Sequence, residues 1–196
     1  MFGVVLNNAI VRACTRLIRC LPGIQADARK RLVSELQGIC SKCEDAYSAL
    51  IVRLLPIKTA YGDAKTLAQE LRLFGADNKT RAAFKPEHLC GEIDHLLQEL
   101  KSNLSALGYS VRWSGLETLD ETLKRMGNYD SELYHQYDQF RLELDQIATE
   151  LERAKKKDQK HWLRYVEDLI TDTEAELQQS ITDLRRAKDQ IVQAAF

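Results

Sequence analysis

The chain has 196 residues, 44% of them hydrophobic, which is enough for a respectable core and argues against wholesale disorder. A net charge of −1 argues against a general nucleic-acid binder, and five cysteines are an odd number for a disulfide framework. No apolar run reaches the ~20 residues needed to span a bilayer. Only three prolines and nine glycines interrupt the sequence. With abundant Leu, Ala, Glu, Lys, Gln and Arg and no strand-like alternation, the predicted fold class is all-α.

Charge is unevenly spread. Residues 1–60 hold nine Lys/Arg against four Asp/Glu, and the remainder holds nineteen against twenty-five. Such asymmetry can guide intramolecular docking, a partner or an anionic surface without selecting among them. No early basic cluster followed by a continuous apolar core marks a secretory signal. The expected location is therefore cytoplasmic, with membrane-surface association as the alternative.

Leu6, Ile10, Cys14, Leu17 and Leu21 form a helical stripe that ends before Pro22-Gly23. Arg12, Arg16 and Arg19 cluster opposite it, and no acidic residue precedes Asp27. A basic amphipathic helix of this kind suits an anionic membrane surface or a targeting presequence, and equally an outer helix beside acidic neighbours. A second helix is predicted from about Ile24 to Leu55, with Leu32, Leu36, Ile39, Cys43, Ala46 and Leu50 inward and Pro56 breaking or kinking it. A shorter helix follows to Phe74, with Gly75 as its stop, and residues 75–85 read as a connection.

Pro86 sits where a helix can start, and Leu89, Ile93, Leu96, Leu100, Leu104 and Leu107 make another stripe closed by Gly108. Tyr109 to Gly115 is the best internal boundary. It divides the chain into an N-terminal helical bundle (1–114) and a long C-terminal coiled-coil-like segment (115–196). A short helix with Leu116, Leu119, Leu123 and Met126 is predicted to lead to Gly127-Asn128.

Beyond Asn128 there is no glycine or proline. Leu133, Tyr137, Phe140, Leu144, Ile147 and Leu151 are spaced by fours and threes, and Leu163, Val166, Ile170, Thr173, Leu177, Leu184 and Ile191 resume a heptad-like seam. Between them, Lys155 to Lys160 is continuous helix or a hairpin turn. Helix-forming residues and an i,i+4 Glu152–Lys156 pair favour continuity. The unusual length of such a helix, and Asp158 as a cap, favour the hairpin.

Two Glu-x-x-His motifs, Glu92–His95 and Glu132–His135, match the di-iron spacing of ferritin-like bundles. At about 100° per residue they point away from their apolar stripes, which reads as solvated surface. Cys40-Ser-Lys-Cys43, with His88 and Cys90 in reserve, has partial zinc-ligand spacing. It lies mid-helix on an apolar stripe, where small buried thiols are expected. Trp113-Ser-Gly115 resembles the turn of small secreted helical-hairpin proteins, over three residues only. Tyr134 and Asp138 match the Tyr-x-x-x-Asp pattern of that group but stand far from the C-terminus, so no family is assigned and Trp113 reads as sealing the junction between the two halves.

No glycine-rich phosphate loop, nucleophile elbow or H-E-x-x-H is present, so neither an enzyme nor a cofactor is expected. The predicted function is a non-enzymatic interaction or assembly protein. Its partner or self-association seam is Leu163, Val166, Ile170, Leu177, Leu184 and Ile191, with Arg12, Arg16 and Arg19 as an anionic-surface contact in the alternative.

Overall fold

A computed structural model of the chain describes residues 26–85, 102 and 114–195. The described residues are helical almost throughout and form an all-α bundle: α1 (Ala26–Thr59), α2 (Ala64–Gly75), α3 (Asn78–Ala83), α4 (Ser114–Arg153) and α5 (Lys156–Ala195). The stripes at Leu6–Leu21 and Leu89–Leu107, with Arg12, Arg16, Arg19, His88, Cys90, Glu92, His95 and Trp113, lie outside the described residues.

Helix α1 runs through Pro56 and ends at Thr59, so of the two expected effects of Pro56 the break does not occur, and the predicted end near Leu55 falls about one turn short. A proline inside a helix orphans the carbonyl four residues back, here that of Val52, which lies on the solvent side of α1. The last turn then tightens: Ala60 N–H donates to Ile57 O (3.1 Å) and the Thr59 hydroxyl to Pro56 O (2.8 Å). The helix therefore needs only one more turn, and loses little by containing proline there.

Helix α2 starts at Asp63, whose carboxylate accepts from Thr66 N–H (2.9 Å). Residues 75–85 are not wholly a connection. Asp77 caps the one-turn helix α3 by accepting from Lys79 and Thr80 N–H (3.0 and 3.4 Å) and from the Thr80 hydroxyl (2.7 Å). Burial alone would raise the Asp77 carboxyl, but these donors and Arg53 hold it below its ordinary value. Helix α4 also runs unbroken across Gly127-Asn128, where a stop was expected. One interior glycine costs about 1 kcal/mol relative to alanine, which a 40-residue helix with a long apolar stripe absorbs.

Helices α1 and α5 pack side by side, as do α2 and α4. Both pairs are antiparallel. Lys58 meets Glu174, while Glu44, further back on α1, meets Arg185 (2.7 Å) and Lys188 (3.6 Å) further along α5. Arg72 meets Asp145 and Glu152, while Gly75, further along α2, accepts from Arg141, further back on α4 (3.0 Å).

The C-terminal segment is a hairpin. Tyr165 donates to Glu143 Oε1 at 2.8 Å, although 22 residues of continuous helix would set them about 33 Å apart. The elbow lies at Ala154-Lys155, and Asp158 falls in the first turn of α5 rather than at its cap. The expected Glu152–Lys156 pair does not form along one helix, because the elbow separates the two residues. Glu152 binds Arg72 instead (3.1 and 2.9 Å).

A single apolar cluster joins the elements and takes residues from both sides of the 114/115 boundary. Its middle is aromatic: Phe84 stacks on Tyr137 (4.7 Å, 5°) and lies beside Tyr47, while Phe74 meets Phe140 edge-on (5.8 Å). Phe84, in a stretch read as a connection, is fully buried there and ties α1 to α4.

Candidate interaction surfaces

The α5 seam is already occupied within the chain. Val166, Ile170, Leu177, Leu184 and Ile191 are fully buried, and Leu163 is half-buried against the same core. Helix α1 packs along it and buries Leu36, Cys43, Leu50, Leu54 and Ile57 in the common core. The predicted seam is thus real as a packing surface, but in this conformation its partner is α1 and it offers no open face. Replacing Leu177 with a charged residue would report on folding rather than on association.

Polar positions in the seam are satisfied locally. The Thr173 hydroxyl donates to Leu169 O and the Ser180 hydroxyl to Glu176 O, each at 2.7 Å. Back-bonding of this kind removes the cost of burying a hydroxyl. Ala187, also small, is buried further along the same helix.

The α2–α4 contact has a more polar edge. The Arg72 guanidinium reaches Asp145 (3.1 Å), Thr149 (3.2 Å) and Glu152 (2.9 Å), three successive positions on one face of α4. The Glu152 hydrogen bond raises Arg72 further above its ordinary value, and the reciprocal hydrogen bond from Arg72 lowers Glu152. These groups are well exposed, so the network sets register more than stability. Arg141 donates to Gly75 O (3.0 Å), capping the end of α2 from across the interface.

Glu132 and His135 are both exposed, as the stripe angles predicted. Cys40 and Cys43 are buried on the core face of α1. Among the described residues no group of three or more His, Cys, Asp or Glu side chains is placed to hold a metal ion. Likewise, no helix among them is long and apolar enough to cross a membrane.

Two surface features escaped the sequence reading. The first is on α1, where Val52 is 64% exposed and Leu55 48% exposed. Val52 lines an open groove of about 590 Å³ with Ala49 and Pro56 of the same helix and Thr80 and Ala83 of α3. Arg53 and Lys79 supply positive charge at its edge, and Arg53 is already held by Asp77 (3.1 Å). The signal was present: Val52 and Leu55 are apolar residues on the face opposite the predicted stripe. The second feature is a cleft of about 440 Å³ inside the elbow, between Glu143, Ile147 and Glu150 of α4 and Trp162 and Tyr165 of α5. Trp162 and Tyr165 stand edge-on there (6.0 Å, 87°). That cleft depends on the hairpin and could not be read from either helix alone.

No family model matches the chain, and neither a search of curated proteins nor one of solved structures returns a match.

Proposed function

We propose that the chain is a non-enzymatic helical interaction protein, an adaptor or assembly component working in a reducing, cytoplasm-like compartment. Its bundle closes its own seam and presents the outer face of α1 to a partner. The observation that carries this reading is Val52, exposed in the groove between α1 and α3, with Leu55 also exposed one helical turn further along α1. Contiguous apolar surface rimmed by polar residues is the kind that marks a protein contact. An odd number of cysteines, two of them buried within the core of α1, suits a reducing compartment.

The groove lies between two helices, and Lys79 at its edge is exposed. Its natural occupant is an amphipathic helix with acidic flanks, its apolar stripe laid against Val52, Pro56 and Ala83. Methyl-detected NMR tests this with the full chain and two synthetic leucine-striped helical peptides, one flanked by Glu and one by Lys. The expected result is shifted Val52 and Leu55 methyl signals with the Glu-flanked peptide only, lost in the Val52→Asp, Leu55→Asp double variant. Unmoved Val52 and Leu55 signals with both peptides would remove this face as the binding surface.

A further inference from the structure

We propose that the elbow at Ala154-Lys155 is a hinge through which two copies of the chain exchange α5. In the exchanged form α4 and α5 become one helix, and the α5 seam lies on the α1 of the second copy. The surface involved is the α1–α5 seam, so the proposal does not rest on the groove at Val52.

Three observations meet at this point. First, the elbow is made from residues that prefer helix. Ala154, Lys155, Lys156, Lys157, Gln159 and Lys160 are all good helix formers, and no glycine or proline relieves the turn. Second, the break is confined to two residues. Ala154 N–H still donates to Glu150 O (2.9 Å), and Asp158 and Gln159 N–H already donate to Lys155 O (2.8 and 3.1 Å). Helical bonding therefore runs up to the elbow from one side and resumes at once on the other. Straightening would return the amides of 155–158 to the carbonyls of 151–154, the regular i to i−4 pattern.

Third, what closes the elbow is small beside what α5 keeps on opening. Among the described residues, α4 and α5 are held near the elbow by the Tyr165–Glu143 hydrogen bond (2.8 Å), by Gln159 Nε2 donating to Ala154 O (3.3 Å) and by the half-buried Trp162 and Leu163 packed against the common core. Helix α5 lies along α1 instead, through Ile170, Leu177, Leu184 and Ile191 and the Lys58–Glu174 and Arg185–Glu44 ion pairs. Exchange leaves every one of those α1–α5 contacts intact, made by the partner copy. A short hinge that resists its own turn, beside a large conserved-on-exchange interface, is the arrangement that favours swapping.

The test uses the full chain, refolded at low and high protein concentration and measured by light scattering with small-angle X-ray scattering. The expected result is a concentration-dependent dimer about 120 Å long, the span of one helix over residues 114–195. Lys156→Pro should refold as monomer only. Proline is tolerated at the first position of α5, but in the middle of a continuous α4–α5 helix it would lose a backbone hydrogen bond and clash with the Glu152 carbonyl, unlike Pro56, which stands one turn from the end of its helix. Lys155→Gly, at the flanking position where glycine is accepted, should also lower the dimer fraction should the proline variant misfold. Asp158→Ala removes the poorest helix former from the hinge and should raise the dimer fraction several-fold. A wild type and Asp158→Ala variant that stay monomeric throughout would overturn the proposal. So would a dimer of compact dimensions, or one that survives both Lys156→Pro and Lys155→Gly. A dimer abolished by Val52→Asp but untouched by the hinge variants would place self-association on the groove.

Discussion

Tyr137 shows how a single side chain can serve the core and still leave a cost behind. Its ring stacks on Phe84 at the centre of the cluster, yet its hydroxyl is buried without a hydrogen-bond partner among the described residues. An orphaned polar atom costs about 1–3 kcal/mol, whereas removing it and keeping the ring can be neutral or favourable. Tyr137→Phe is therefore expected to leave the melting temperature unchanged or raise it, in contrast to most core substitutions. The same burial, followed by the Asp77 charge, pushes the Tyr137 phenol up to about 12, and burial beside Glu167 and Glu174 does the same for Tyr61. A phenol whose folded value is raised holds its proton more tightly in the fold. Its contribution is complete below the ordinary value of 10.0 and is lost as pH rises through about 12. Denaturation midpoints followed through this range should fall for the wild type and fall less for Tyr137→Phe, with the rest of the slope attributable to Tyr61.

At the scale of elements, α3 is the piece most dependent on one residue. Six residues are too few for a stable helix, and this one persists because Asp77 caps it and Phe84 anchors its end in the core. Asp77→Ala should cost about 1 kcal/mol from the cap, plus the partner left to Arg53. Asp77→Asn keeps the acceptor oxygen and should cost less. Because the Asp77 carboxyl is held low, its contribution is present above the ordinary value of 3.8 and disappears as pH falls through its lowered value. Acid unfolding monitored by ellipticity should accordingly show a shallower low-pH limb in Asp77→Asn than in the wild type. The sequence could have announced this element: Asp-Asn-Lys-Thr is a capping pattern, hidden by its place between a glycine and a proline. Pro56 and Gly127 mislead in the opposite sense, since each is a helix breaker by propensity and each lies inside a helix. Gly127 is carried by the length of helix on either side of it, and Pro56 by standing one turn from the end of α1, where few hydrogen bonds are at stake.

At the scale of the molecule, the single cluster implies cooperative unfolding, because neither antiparallel pair owns a core separate from the other. Leu177, fully buried in the α1–α5 seam, is the place to test it. Leu177→Ala should lower stability by about 2–5 kcal/mol and shift ellipticity and tryptophan fluorescence together. Transitions that separate would show that the α1–α5 and α2–α4 pairs melt independently.

The periodicity of apolar residues was enough to establish an all-α chain and to name most of its core. Leu133 to Leu151 and Val166 to Ile191 are buried at the positions their spacing required, and Glu132 and His135 face outward for the same reason. Those properties depend on local geometry, 100° per residue, which any one helix carries by itself. What the seam packs against is not a local property. That α5 folds back on α1 and that Arg72 takes the carboxylate expected to pair with Lys156 were both decided by the hairpin at Ala154-Lys155. Helix propensity across those residues points to continuity. Within one copy of the chain the α5 seam reaches α1 only if the helix turns there, and burying that apolar seam outweighs the few backbone hydrogen bonds the turn gives up.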